Sequence, residues 1–91
     1  MIEEYYLFTF ESTHGAISTD TLLKPVGCKI MPVPRAISTS CGMAVRVTPE
    51  QLDEARRIFR DKSDLGSDEF AFYHIRHDKE NKTFDFERVD I

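Results

Sequence analysis

The sequence predicts an α+β fold in which one antiparallel sheet carries two helices on a single face. Five segments are rich in β-branched and aromatic residues, and two others place apolar residues at helical spacing beside turn-forming residues. The segments follow the order β-α-β-β-α-β, with one more strand at the end. A chain of 91 residues is too short for two independent cores, so we expect one domain over residues 1–91.

The first strand and the first helix are predicted from their composition. Residues 5–10 are apolar at nearly every position, which is typical of a strand that is central in a sheet or covered on both faces. Ser12 and Thr13 offer side-chain oxygens for the N-cap of a helix over residues 14–24. Pro25 and Gly27 end that helix.

The middle of the chain predicts a hairpin followed by a second helix. Residues 28–33 form the second strand, and residues 43–47 form the third. Thr48, Pro49 and Gln51 then occupy the N-cap, N1 and N3 positions of a helix that continues to about residue 60. The apolar positions that recur on one side of this helix are Leu52, Ala55, Ile58 and Phe59.

The last third of the chain predicts two further strands. Residues 70–75 carry aromatic side chains on both faces, and residues 78–82 resemble a turn. Residues 83–89 alternate apolar and polar side chains, as expected of a hairpin partner at the edge of the sheet. The whole order is that of a ferredoxin-like sandwich with one extra C-terminal edge strand.

Charge and hydropathy exclude several functional classes. The chain has 12 basic and 16 acidic residues, for a formal net charge of −4, which opposes binding to nucleic acid or to an anionic membrane. No apolar run approaches the roughly 20 residues of a membrane span, and no secretion signal is visible at the N-terminus. We therefore expect a cytoplasmic protein in which Cys28 and Cys41 stay reduced.

The loop before the third strand is the candidate chemical centre. Small side chains at residues 38–40 leave Cys41 accessible, and Gly42 permits a backbone geometry that can point an amide N–H at an anion. Arg35 and Arg46 add positive charge. A free thiol has a pKa of about 8.5, so lowering the pKa increases the nucleophilic thiolate at neutral pH. The same pattern is equally compatible with an inert cysteine in a turn.

Three sequence elements resemble a family of small proteins described as selenium or sulfur carrier-like. They are Phe-x-Ser-Thr at residues 10–13, Pro-x-Pro-Arg at residues 32–35 and Ser-Cys-Gly at residues 40–42. The resemblance implies that Cys41 holds sulfur or selenium as a persulfide or selenopersulfide, received from a donor protein and passed to an acceptor protein. It implies a relay rather than a stand-alone enzyme, with no cofactor. The extra terminal strand and the weak first helix depart from the family pattern.

Other titratable residues are weaker candidates. Cys28 begins the second strand, about 20 Å from the level of Cys41, so we expect a packing residue that forms no disulfide with it. His74 and His77 are three residues apart in a strand and therefore face opposite sides, which argues against a metal site. His14 could carry a proton for a thiol, although a solvated histidine at a helix start is commoner.

Two alternative functions remain open at this stage. Ferredoxin-like sheets often bind ligands or partner proteins without catalysis, and a non-catalytic binding module would keep Cys41 buried. A thiol–disulfide switch, in which Cys41 pairs with another protein, is the third hypothesis. A homodimer formed through the final strand is left open, because charged residues at that edge would also protect it from pairing.

Overall fold

The described part of the chain forms one antiparallel sheet with two α-helices. A computed structural model describes residues 2–37, 42–66 and 68–90. The elements are β1 (Ile2–Phe10), α1 (Thr13–Leu23), a short 3-10 turn (Lys24–Val26), β2 (Lys29–Pro32), β3 (Met43–Val47), α2 (Leu52–Lys62), β4 (Phe70–Asp78) and β5 (Thr83–Arg88). The strand order is β2-β3-β1-β4-β5, and every neighbouring pair is antiparallel. The predicted α+β class is confirmed.

The central pair of strands is longer than the sequence predicts. β1 and β4 pair over nine residues each, from Ile2 opposite Asp78 to Phe10 opposite Phe70. The prediction ended each strand where its apolar run ends. The ladder continues through charged residues because backbone hydrogen bonds, together with cross-strand pairs such as Glu4 opposite Arg76, favour further pairing.

The second helix starts later than predicted. Its first helical residue is Leu52, whereas the sequence places Pro49 at the first helical position. Residues 48–51 form a turn in which the N–H of Gln51 donates to the carbonyl of Thr48 at 3.0 Å. The Gln51 side chain accepts from the Thr48 N–H at 3.1 Å. This is the reach-back contact of a capping box, made one turn before the helix itself.

Both helices pack on the same face of the sheet. An aromatic cluster lies at the centre, where the Phe8 ring is 4.6 Å from the Phe59 ring and 4.5 Å from the Phe72 ring, centroid to centroid. Such tilted ring pairs add to the free energy gained by burying apolar surface. The other fully or nearly buried members of this core are Phe10, Ala16, Leu23, Cys28, Val45, Val47 and Ala55.

The opposite face of the sheet carries a second, smaller buried cluster, to which no helix contributes among the described residues. Leu7, Ala44 and Ile75 are fully buried there, beside Tyr5. Ile37, which belongs to the segment after β2, completes this second cluster with 5% of its surface exposed. Burial on both faces explains the continuous apolar run of β1, as the sequence predicted.

The strands β2 and β5 form the two edges of the sheet. A turn joins β4 to β5, and its backbone N–H groups at Glu80 and Asn81 donate to the Asp78 carboxylate at 3.1 and 3.2 Å. β5 is mostly exposed, including 43% of Phe86. Within the ranges described above, neither helix has the length and apolar character needed to cross a membrane.

Candidate functional site

A backbone hydrogen bond closes the base of the candidate loop where it leaves the sheet. The Val33 N–H donates to the Gly42 carbonyl at 3.2 Å, which extends the β2–β3 ladder one step past the pair Pro32 and Met43. Val33 and Gly42, which flank this loop, are therefore held together. Cys41 lies outside the described residues, as do residues 38–40, so its exposure and its separation from Cys28 stay predictions.

The first half of the loop is a turn fastened to the sheet. The Ile37 N–H donates to the Pro34 carbonyl at 3.0 Å, which closes a four-residue β-turn. The Ile37 side chain is buried against the helix-free face, whereas Arg35 is exposed and pairs with no acidic side chain among the described residues. Burial of one side chain thus fixes the turn and leaves the guanidinium of Arg35 in solvent.

Gly42 has the backbone geometry that the sequence predicts. Its φ is +39°, in the left-handed region that residues with a Cβ rarely adopt. A Cβ built on Gly42 would meet nothing within 4 Å, so backbone conformation rather than lack of space favours glycine here. The Gly42 carbonyl accepts a hydrogen bond from the Val33 N–H. That the Gly42 N–H donates to an anion remains a prediction.

Arg46 does not add charge to this loop, and that expectation was wrong. It lies three residues past Met43 on β3, roughly 10 Å farther along the strand at 3.3 Å per residue. Its guanidinium binds the Glu3 carboxylate at 3.0 Å and lies 4.7 Å from the centroid of the Tyr5 ring. The contact with Glu3 spans 43 positions in sequence, which explains why local reasoning missed it.

Cys28 lies at the other end of the hairpin and has the properties of a packing residue, as predicted. Only 6% of it is exposed, and its Sγ lies 3.6 Å from the side-chain oxygen of Gln51, to which it donates. Burial raises the pKa of the Cys28 thiol to about 11. At pH 7 only about one molecule in ten thousand then carries this thiolate, so Cys28 is a poor nucleophile.

The three histidines lie apart from one another. His14 is exposed in the first turn of α1, at the end of the sheet that also carries Gly42, because Thr9 pairs with Ala44. The His74 ring stacks on Tyr6 at 4.7 Å on the helix-covered face. His77 lies on the other face, where its ring centroid is 5.7 Å from that of Phe84. Among the described residues, no group of three or more His, Cys, Asp or Glu side chains could hold a metal ion.

Sequence reasoning missed two residues that shape the hairpin. Ile37 was treated as part of an ordinary loop, although an isolated isoleucine among small and polar residues is itself a signal of anchoring. Gln51 was assigned only to a helix cap. Its side chain also bonds Cys28 and donates to the Val26 carbonyl at 3.3 Å, so it joins the 3-10 turn, the start of β2 and the start of α2.

Comparison with known protein families gives one match. The family model described as "Putative Se/S carrier protein-like" matches residues 5–68, more than two thirds of the chain. The matched region runs from β1 through α2 and contains the loop with Cys41 and Gly42. No curated protein and no solved structure matches the chain.

Proposed function

The chain belongs to the "Putative Se/S carrier protein-like" family, and from this membership we propose that it carries sulfur or selenium on Cys41. The observation that carries the proposal is the family match across the loop of Cys41. The carrier receives the atom from a donor protein and delivers it to an acceptor protein. It acts as a relay, so docking surfaces matter more than a deep substrate pocket.

The proposed transfer is an exchange at a sulfane atom. The Cys41 thiolate attacks the outer sulfur of a donor persulfide, forms a new S–S bond and releases the donor thiolate. A nucleophile of the acceptor later attacks the outer sulfur, and Cys41 leaves as a thiolate. Each step exchanges one chalcogen bond for another without external oxidant, and the selenium version replaces the outer sulfur by selenium.

Three observations support this assignment of roles. Gly42 has a left-handed backbone in the position next to Cys41, and an amide N–H there stabilises a thiolate or persulfide anion. Arg35 is exposed in the same loop, and its permanent charge favours the anionic form. Cys28 is buried with its pKa raised to about 11, so it does not compete for the sulfur.

Persulfide loading tests the proposal. The purified chain is incubated with a low-molecular-weight persulfide, and the added mass is assigned by peptide mass spectrometry. We expect one extra sulfur on Cys41, its loss in Cys41→Ser and its retention in Cys28→Ala. Retention in Cys41→Ser would rule out the carrier role.

The pH dependence of iodoacetamide alkylation tests how Arg35 acts. We expect a midpoint for Cys41 below about 8.5, the value of a free thiol, and a higher midpoint in Arg35→Gln. Arg57→Gln, on an exposed part of α2, is the matched control and should leave the midpoint unchanged. Equal midpoints in all three proteins would remove Arg35 from the site.

A second candidate is a non-catalytic protein-interaction module. The observation that favours it is the exposed Phe86 ring on the edge strand, whose centroid is 5.8 Å from the Tyr73 ring and 6.2 Å from the Phe84 ring. Exposed aromatic groups of this kind are common at protein interfaces. Cys41 alkylation no faster than that of a free thiol would favour this module over the carrier.

The topology itself supports a finer description of the fold. We infer a ferredoxin-like sandwich extended by one strand, because the order β2-β3-β1-β4 and the packing of both helices on one face fit that arrangement. A fold of this kind serves many functions, so the proposed carrier role rests only on the loop that contains Cys41 and on the family match.

A further inference from the structure

A small cleft opens at the end of the β2–β3 hairpin that is farthest from Gly42. Its volume is about 230 Å³, and the described residues that line it are Gly27, Lys29, Arg46, Thr48 and Gln51. None of these side chains is acidic. The volume is below the roughly 300 Å³ at which typical small-molecule sites begin, so the cleft suits an ion or a single functional group.

Two basic residues line this cleft from neighbouring strands. Lys29 is directly opposite Arg46 in the β2–β3 ladder, so both side chains leave the same face of the sheet. Like charges directly opposite one another destabilise an antiparallel pair. Lys29 forms no ion pair among the described residues, and this arrangement would be relieved by an anion held between the two side chains.

The nearby carboxylate does not neutralise the cluster. Glu3 binds Arg46 at 3.0 Å and also binds Lys79 at 3.0 Å, so one carboxylate serves two cations. The hydrogen bond from Lys79, followed by the charges around it, lowers the pKa of Glu3 despite its partial burial. Glu3 is therefore fully ionised near neutral pH. Its single negative charge leaves two of the three positive charges of Lys29, Arg46 and Lys79 unbalanced, in a chain whose net charge is −4.

The walls of the cleft offer hydrogen-bond donors. The Gln51 side-chain oxygen is occupied by the Thr48 N–H and by Cys28, while its amide nitrogen donates to Val26, so its orientation is fixed. One N–H of that amide remains. Arg46 uses one Nη to donate to Glu3, so other N–H groups of its guanidinium can donate to a bound acceptor.

Gly27 keeps the cleft open beside this amide. Its φ is +97°, and a Cβ there would lie 3.0 Å from the Gln51 amide nitrogen. A side chain at this position would therefore be strained and would crowd the wall. The result is a cleft with cations, free N–H groups and space for a compact acceptor.

We propose that this cleft binds a small oxyanion, a phosphate or sulfate group, between Lys29 and Arg46. An oxyanion presents several acceptor oxygens, and the planar guanidinium of Arg46 can donate to them at fixed geometry. The ion offsets the repulsion between the two cations. This site lies at the opposite end of the hairpin from Gly42 and goes beyond the proposed carrier role.

The test is a titration of the full 15N-labelled chain with inorganic phosphate, followed by NMR at constant ionic strength. The chain carries Cys41→Ser, so that the outcome does not depend on the carrier proposal. We expect saturable shifts at the amides of Gly27, Lys29 and Thr48. Shifts that do not saturate, or that sodium chloride produces equally, would overturn the proposal.

Two matched variants decide whether the cleft is responsible. Lys29→Gln removes the exposed cation of the edge strand and should weaken phosphate binding by at least about fivefold, since hydrogen bonds to charged groups contribute most to such sites. Lys62→Gln, at the far end of α2, should leave the affinity unchanged. Equal affinities in the two variants would overturn the proposal.

A third arm identifies the source of the phosphate group. Glycerol phosphate replaces inorganic phosphate in the same titration. Comparable binding would indicate that a phosphate attached to a larger molecule enters the cleft, whereas much weaker binding would indicate a free ion. In both cases, Lys29→Gln must weaken the binding of whichever compound binds, inorganic phosphate or glycerol phosphate, or the proposal is overturned.

Discussion

The two ends of the β2–β3 hairpin are built from the same strands but are fastened in different ways. At one end, burial of Ile37 holds the turn that leads toward Cys41, while Gly42 and Arg35 face solvent. At the other end, the amide of Gln51 joins three segments by hydrogen bonds and Cys28 is enclosed. Burial of the Ile37 side chain leaves Arg35 and Gly42 accessible to solvent, whereas the hydrogen bonds of Gln51 enclose Cys28.

This difference gives the two ends of the hairpin different electrostatic environments. Enclosure at Cys28 removes water from the thiol and disfavours its charged form, so its pKa is raised. The Gly42 end has a left-handed backbone and an unpaired cation in the described residues, both of which favour an anion. Cys28 is thus held as a neutral thiol, and the proposed reactivity of Cys41 belongs to the end of the hairpin that favours an anion.

The largest expected effect is loss of the apolar anchor. Ile37→Ala should destabilise the protein by about 3 kcal/mol, because it removes a buried side chain and leaves a cavity against Leu7 and Ile75. Urea unfolding measures the change in free energy. Ile30→Ala is the matched control, since Ile30 is 42% exposed on the edge strand and should cost less than about 1 kcal/mol. Equal losses would show that Ile37 does not anchor the loop.

Alkaline pH should weaken the enclosed end of the hairpin. The raised pKa of Cys28 means that the folded state holds this proton more tightly than the unfolded state does. Its contribution is therefore fully present below pH 9 and is lost as pH rises toward about 11. By pH 11, where about half of the folded molecules carry the Cys28 thiolate, the loss should reach about 2 kcal/mol.

A variant isolates this contribution from the other groups that titrate at alkaline pH. The difference in unfolding free energy between the natural chain and Cys28→Ala is measured by urea unfolding from pH 7 to pH 11. We expect that difference to shrink by about 2 kcal/mol as pH rises. A constant difference over this range would contradict the burial of the thiol.

The smallest expected effect concerns the backbone at the exposed end. Gly42→Ala should cost about 1 kcal/mol, because a Cβ is unfavourable at positive φ even where space is free. Gly42→Asn should cost less, since asparagine tolerates the left-handed region better. Thermal unfolding of both variants measures the difference. If Gly42→Ala caused no loss of stability, the backbone would have adapted to the side chain.

The sequence was sufficient for the α+β class, for the order of the elements along the chain and for both boundaries of one strand. β3 begins at Met43 and ends at Val47 as predicted, because its apolar residues are bounded by Gly42 and by Thr48. β1 and β4 were predicted too short, since their outer pairs are polar and their stability comes from each other rather than from composition. The same limit applies to α2, whose capping residues form a separate turn.

The candidate site was predictable only where the information is local. The left-handed geometry at Gly42 follows from residue type, and the enclosure of Cys28 follows from its place at the start of an apolar strand. The contact between Arg46 and Glu3 joins distant positions, so sequence pattern placed Arg46 wrongly. Ile37 shows no periodicity because it is a lone apolar residue, and only the folded sheet reveals what it covers.

The full pairing of β1 with β4 has a consequence for the limits of the family. The family match ends at residue 68, yet β4 begins at Phe70 and supplies Phe72 and Ile75 to the two cores. A fragment cut at the end of the match would leave one side of β1 without its hydrogen-bond partner. In this chain, the segment that sequence comparison recognises leaves out a strand that contributes to both buried clusters.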